Sequence, residues 1–237
     1  AFKEVRPHVI LTVPLLIEKI YKAAVVPTLR DNPKISKLYK NPLTKWIVLK
    51  TVKAKLISTM GGCMKFFGIG GAPLDSTVWD FLYSCHFPYA LGYGLTETSP
   101  LIAGCGPKHK MHKKGYIGKP VKHDDVILLD KNEEGVGEIA VKGPNVMTGY
   151  YNNEELNKEV FTPEGYFKTG DLGYIDKHGY LSIRGRVKTM ILGPAGENIY
   201  PESIESIINN MEFVQESLVV PGDGGLVALI KVDLEAM

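Results

Sequence analysis

The chain has 237 residues, with 28 Lys and Arg against 26 Asp and Glu, a net charge of +2 and 44% hydrophobic residues. These proportions argue against a disordered charged tail. The near balance of charge argues against a dedicated nucleic-acid binder, which needs a basic excess to compete for phosphates. No apolar run approaches the roughly 20 residues that span a bilayer, and the amino end lacks the pattern of a signal peptide.

In chain order, Leu16, Ile20, Ala23 and Ala24 recur at helical spacing and predict an amphipathic helix from about Pro14. The run M-K-F-F-G-I from Met64 predicts a short strand ending in Gly70-Gly71. A helix should follow, with Val78, Leu82 and Cys85 on one face. Strand, glycine turn and helix together are α/β grammar, in which ligands gather at the carboxyl ends of strands. After Gly115 the pattern changes to short strands at 126–129, 138–142, 174–176 and 180–183, separated by N-E-E-G-V-G and D-K-H-G turns, which predicts a small antiparallel barrel or sheet. Beyond Gly185 the α/β pattern returns. Ile204, Ile207, Ile208 and Met211 fit one helical face behind Pro201, and strands at 217–220 and 226–232 flank a G-D-G-G turn. The resulting division is an α/β part at 1–114, a β-barrel part at 115–186 and a small α+β part at 187–237. Cys63, Cys85 and Cys105 form no C-x-x-C pair, and are read as buried or indifferent thiols of a cytoplasmic protein.

Four segments could carry chemistry. G-I-G-G-A-P at 68–73 fails as a dinucleotide fingerprint because its sixth residue is proline, and no P-loop occurs anywhere. It is either a tight turn after a strand or side-chain-free backbone that lets a flat ring approach. G-Y-G-L-T-E-T-S-P at 92–100 offers an aromatic face, a threonine hydroxyl and a hard carboxylate, types suited to a phosphate ester with a divalent cation; a surface turn explains it equally well. G-Y-F-K-T-G-D-L-G-Y-I-D at 165–176 places Asp171 in a loop after an aromatic strand, where it could accept two ribose hydroxyls or make an Asx-turn. G-R-V-K at 185–188 is either a solvated strand pair or a set of donors at a hinge. Cys105, His109 and His112 suggest a metal site but lack a fourth ligand, and Lys108, Lys110, Lys113 and Lys114 favour a solvated loop. That basic run could also meet an anionic phosphate or a membrane surface.

In this order, G-G-A-P-L, G-Y-G-L-T-E-T-S-P, G-E-I-A-V-K-G-P-N-V-M-T-G-Y-Y, G-Y-F-K-T-G-D-L-G-Y-I-D, G-Y-L-S-I-R-G-R-V-K and G-E-N-I-Y-P-E-S-I-E resemble the adenylate-forming superfamily of acyl-CoA synthetases, peptide-synthetase adenylation domains and luciferases. The segment at 6–21 and G-G-A-P-L-D-S-T-V-W-D-F-L look most like the long-chain fatty acid branch. The resemblance implies ATP-dependent ligation of a fatty acid to coenzyme A through an acyl-adenylate, with ATP, Mg²⁺ and CoA. It implies that Gly71, Ala72, Pro73, Tyr93 and Gly94 serve the adenine, Thr96 the α-phosphate and Glu97 the Mg²⁺. Asp171 and Arg186 would hold the ribose, Lys188 would be the hinge of a C-terminal lid, and Gly196 and Glu197 would lie in the lid loop that meets the site for thioester formation.

Two elements of the family pattern do not appear in these 237 residues: a Ser/Thr/Gly-rich phosphate loop and a P-K-T-x-x-G-K-type segment with the adenylation lysine. The expectation is therefore a piece of a longer enzyme that binds adenylate weakly and does not turn over alone, since preorganised donors and cations are the usual main catalytic term. The alternatives are an acyl-AMP ligase that loads a carrier-protein thiol, and a non-catalytic nucleotide-binding module. A cytoplasmic location with peripheral membrane contact is compatible with a fatty acid substrate.

Overall fold

In the computed structural model, which describes residues 2–193, 196–211, 213–223 and 225–232, the chain forms two units. One is Ala1–Gly94 with Ala103–Gly118, the other Leu95–Ile102 with Lys119–Met237.

The first unit is built on three parallel strands, Val9–Thr12, Phe66–Gly70 and Tyr89–Gly94, adjacent in that order. Their register sets Ile10 beside Phe67 and Gly70 beside Gly92. The predicted helix begins at Pro14, where the fixed φ of proline suits the first helical position. It runs through a π turn, Tyr21–Val25, into Val26–Arg30. Two further helices, Pro33–Lys40 and Pro42–Thr59, each start with Asn-Pro. The side chain of Asn32 accepts from the Lys34 and Ile35 amides, and that of Asn41 from the Leu43 amide. Ser76–Ser84 is the predicted helix after the glycine turn, capped by Asp75 through the Thr77 and Val78 amides. Ile17, Val25, Leu56, Phe67, Val78 and Leu82 fill the core; burial of each such side chain is worth roughly 2 kcal/mol. Phe67 and Phe87 meet edge-on at 5.6 Å.

The second unit centres on an antiparallel meander of four strands, Asp125–Leu129, Gly137–Lys142, Phe167–Ile175 and Leu181–Arg186, paired in that order. Its inward positions are Ile139, Val141, Phe167 and Leu181. Asn132 closes the first turn by accepting from the amides of Glu134 and Val136. Gly137 is required there, because a Cβ would lie 2.2 Å from the Leu129 carbonyl oxygen. The third strand is longer than the expected 174–176 and begins at Phe167. Asp171 therefore lies in a strand, not in the loop predicted for it, because the ladder to its neighbours satisfies the backbone from Phe167 onward. The Asx-turn falls to Asp176, whose Oδ1 accepts from the His178 and Tyr180 amides.

Beyond Arg186 come a short hairpin, Ile191–Leu192 with Asn198–Ile199, and the helix Pro201–Ile208. A second hairpin, Val214–Gly222 with Gly225–Val232, follows. Met211, expected on the helical face, lies past the helix end and is exposed. Gly224 of the expected G-D-G-G turn and residues 233–237 lie outside the described residues. Among the described residues no helix is long and apolar enough to cross a membrane.

Candidate functional site

In the first unit, the glycine-rich segment leaves the carboxyl end of the middle strand. Gly71 has φ +85°, a conformation glycine adopts without strain. A Cβ on Gly70 would approach the Gly92 carbonyl oxygen to 3.1 Å, so the glycines at the strand ends allow close backbone approach. Gly71, Ala72 and Pro73 are exposed, and Tyr93 and Gly94, at the end of the next strand, are half-buried. Parallel register thus brings 71–73 and 93–94 to the same carboxyl end of the sheet. Two residues past Pro73 stands Asp75, whose amide donates to Glu18 Oε1 (3.0 Å) and whose carboxylate caps the next helix, which holds the turn in place.

In the second unit, Thr96–Thr98 form a single 3₁₀ turn. Thr96 is exposed, Glu97 half-buried and Thr98 buried. The Thr98 hydroxyl accepts from the Leu95 amide (3.1 Å) and lies 2.8 Å from the Pro100 carbonyl. The loop 143–150 then secures this turn from outside. Asn145 Nδ2 lies within 3.0 Å of three acceptors: the carbonyls of Thr98 and Leu101, and Asp124 Oδ2. The Met147 amide donates to the Glu97 carbonyl (2.8 Å), and the Tyr150 hydroxyl donates to Glu97 Oε1 (2.8 Å). Burial, then the hydrogen bond to Glu97, raises the Tyr150 phenol above its ordinary value, which keeps it a donor. Asn157 holds Tyr150 in turn, accepting from its amide (2.7 Å) and donating to its carbonyl (3.0 Å).

Tyr150, Asn145, Asn157 and Asp124 escaped the sequence reading. Their signal was weak: a lone asparagine and a tyrosine in a G-P-N-V-M-T-G-Y-Y run, whose partners lie 47 and 53 residues away.

Asp171 and Arg186 face each other across paired strands, with Arg186 Nε 3.0 Å from Asp171 Oδ1. The carboxylate is 7% exposed and the guanidinium 64%. One end of the pair is thus fixed in the sheet while the other reaches solvent. The neighbouring backbone is also held: the Gly170 amide donates to Glu138 Oε1, the Asp171 amide to Thr169 Oγ1, and Thr169 Oγ1 to the Ile139 carbonyl. Chemically, an anchored carboxylate beside a planar guanidinium can present both acceptors and donors to a vicinal diol.

Lys188 is exposed in the turn directly after the last meander strand. Thr189 in that turn donates its hydroxyl to Glu202 Oε1 (2.6 Å) on the following helix. Gly196, with φ +82°, and Glu197 lie in the short hairpin; the Glu197 carbonyl accepts from the Gly193 amide.

A divalent cation has one evident acceptor here. Tyr150 takes Glu97 Oε1 and leaves Oε2 as a hard oxygen, and among the described residues no three His, Cys, Asp or Glu side chains cluster as a metal cage. That donor set suits Mg²⁺, which keeps its waters and is commonly held by one or two carboxylates plus substrate phosphates.

The Cys105–His112 loop is not the solvated loop expected. His112 is buried, with Nδ1 3.4 Å from Cys105 Sγ and its ring 4.0 Å from that of Tyr89. His109 stacks on His86 at 3.8 Å. The aromatic rings of 83–89 offer the imidazoles more contact than water does.

Residues 1–151 match the family model described as AMP-binding enzyme. Over 216 residues the chain is 32% identical to 2-succinylbenzoate–CoA ligase of Listeria innocua, covering 90% of this chain and 43% of that protein. Over 266 residues it is 31% identical to the peroxisomal long chain acyl-CoA synthetase 7 of Arabidopsis thaliana, covering 100% and 37%. The crystal structure of ATP-bound MatB from Rhodopseudomonas palustris matches with a TM-score of 0.69 at 29% identity, covering 97% of this chain and 41% of that one. The chain therefore spans about two fifths of the length of the proteins it matches.

Proposed function

The chain belongs to the AMP-binding family of adenylate-forming enzymes, and on that premise we propose that it supplies nucleotide-holding residues of an ATP-dependent ligase joining a fatty acid to coenzyme A. In this reading a carboxylate oxygen attacks the α-phosphorus of ATP and pyrophosphate leaves. The CoA thiolate then attacks the acyl carbon and AMP leaves. The observation that carries the reading is the Asp171–Arg186 pair, a buried carboxylate fixed by strand register beside an exposed guanidinium.

Asp171 accepts the ribose hydroxyls, and Arg186 steadies that carboxylate while donating to the sugar. Thr96, exposed on its turn, donates to the α-phosphate. Glu97 Oε2 is the ligand for Mg²⁺, which when bound neutralises charge on the phosphates. In the first unit, Gly71, Ala72, Pro73, Tyr93 and Gly94 are the adenine-facing residues. Lys188, in a turn between regular elements, is the hinge, and Gly196 and Glu197 belong to the thioester-forming half-reaction.

A second reading changes only the acid. The Listeria innocua relative, whose name specifies 2-succinylbenzoate, is as similar as the long-chain synthetase, which favours an aromatic carboxylate to the same degree.

Calorimetric titration with a non-hydrolysable long-chain acyl-adenylate analogue, and separately with its 2-succinylbenzoyl counterpart, tests both. Saturable binding is expected, weakened about tenfold to a hundredfold in Asp171→Ala and in Asp171→Asn, as for the loss of a hydrogen bond to a charged group. Tighter binding of the aromatic analogue selects the second acid. Undiminished binding by both folded variants refutes the ribose assignment.

A further inference from the structure

The 43 residues from Asn32 to Leu74 contain eight lysines and not one aspartate or glutamate, a local excess invisible in the net charge of +2. Most of this stretch is the helix pair Pro33–Lys40 and Pro42–Thr59 of the first unit. The longer helix is apolar on two opposite faces. Val48, Leu49, Val52 and Leu56 point into the core. Leu43, Trp46 and Ile47, at i, i+3 and i+4, point outward and are 81%, 60% and 47% exposed. Leu38 on the shorter helix is 44% exposed.

The same two helices carry Lys34, Lys37, Lys40 and Lys50, all exposed. The corner between the helices is built rather than loose. Thr44 donates its hydroxyl to the Leu38 carbonyl (2.7 Å), Lys45 lies 5.0 Å over the Tyr39 ring, and Ile35 and Tyr39 pack on the core.

A folded helix gains nothing in water from an outward Trp beside an outward Leu. An exposed apolar face with an indole, on a helix pair that carries exposed lysines and no carboxylate, instead matches the interface of an anionic bilayer. Indole rings settle at headgroup depth, lysine stems lie along apolar surface with their ammonium groups at the phosphates, and each lysine adds to the attraction. We infer that the outward face of this helix pair, Leu38, Leu43, Trp46 and Ile47 with Lys34, Lys37, Lys40 and Lys50, docks peripherally on anionic lipid. The inference does not depend on the substrate acid.

The test is cosedimentation of the chain with phosphatidylcholine vesicles with and without phosphatidylserine. Trp46 fluorescence is read alongside in a Trp79→Phe background, since the chain has only these two tryptophans. Expected are pelleting and a blue shift with phosphatidylserine vesicles alone, both diminishing as salt is raised. The triple variant K34E/K37E/K40E should lose at least about tenfold in partitioning, and Leu43→Ser with Trp46→Ser a comparable amount. Lys177→Glu, an exposed lysine of the second unit, should leave partitioning unchanged. Circular dichroism confirms that each variant is folded. The inference is overturned if the vesicles fail to pellet the chain, if neutral vesicles do so equally, or if Lys177→Glu matters as much as the triple variant. Binding to duplex DNA but not to vesicles would equally overturn it.

Discussion

Glu97 shows how little of a side chain's role resides in the side chain itself. On an exposed turn a glutamate samples many rotamers, and ordering one costs up to about 2 kcal/mol. Here the Tyr150 hydroxyl fixes Oε1 and the Met147 amide fixes the backbone carbonyl, so Oε2 is presented in one direction. Tyr150 is thus a positioning residue for the proposed cation ligand. Tyr150→Phe removes only the donor; Asn157 still holds the ring's backbone. Loss of an outer hydrogen bond to a metal ligand typically weakens metal affinity about tenfold or more. The expected result is therefore a Mg²⁺ requirement for nucleotide binding that shifts upward by about that factor, with binding of the metal-free acyl-adenylate analogue unchanged. Titration of Mg²⁺ at fixed nucleotide measures the first, and calorimetry the second. Equal weakening of both would make Tyr150 a general support of the turn.

At the scale of the element, legibility tracked whether the information was local. The strands Phe66–Gly70, Asp125–Leu129 and Gly137–Lys142, and the helix Ser76–Ser84, announce themselves by apolar runs bounded with turn residues. The helix Pro42–Thr59 did not, because it carries apolar residues on both faces and so shows no single stripe. The available signal was the repeated Asn-Pro, an N-cap followed by proline at the first position. Asn41→Ala removes the acceptor for the Leu43 amide. It should cost the first unit about 1 kcal/mol in denaturant unfolding, whereas Asn41→Asp, which keeps the oxygen, should cost little. Equal losses in both would mean the cap is not what holds that corner. Around the candidate site the same division holds. The motif residues could be read in the sequence, but not the partners of Glu97 and Thr98, since tertiary pairs 47 and 53 residues apart leave no local pattern. Asp171 was legible as a residue and misplaced as a loop, because a Thr-Gly-Asp triplet reads as a turn until strands on both sides claim its backbone.

Across the molecule, the described histidines whose pKa is lowered fall in the first of the two units. In the first, burial and then the neighbouring His109 lower the pKa of His112 below the ordinary 6.5; burial and then the stacked His86 lower that of His109. Cys105 and Tyr89, the other ionisable groups against His112, are raised by burial and so remain neutral across this range. A histidine depressed in the folded state binds its proton more readily when unfolded. Its contribution is therefore complete above about pH 6.5 and is lost progressively as pH falls toward the folded value. Both tryptophans, Trp46 and Trp79, lie in this unit, so indole fluorescence reports its unfolding specifically. The fluorescence midpoint should fall by roughly 4–8 °C for each kcal/mol lost as the buffer is taken from about pH 7.5 to about pH 5.5, the scale for a unit of this size. In His112→Gln the same acid shift should shrink, even where the variant begins from a lower midpoint, because the slope with pH depends on proton uptake and not on absolute stability. Thermal scans at four or five pH values, wild type against variant, decide the matter. Parallel curves would mean that His112 does not titrate on unfolding and that the acid sensitivity of this unit has another source.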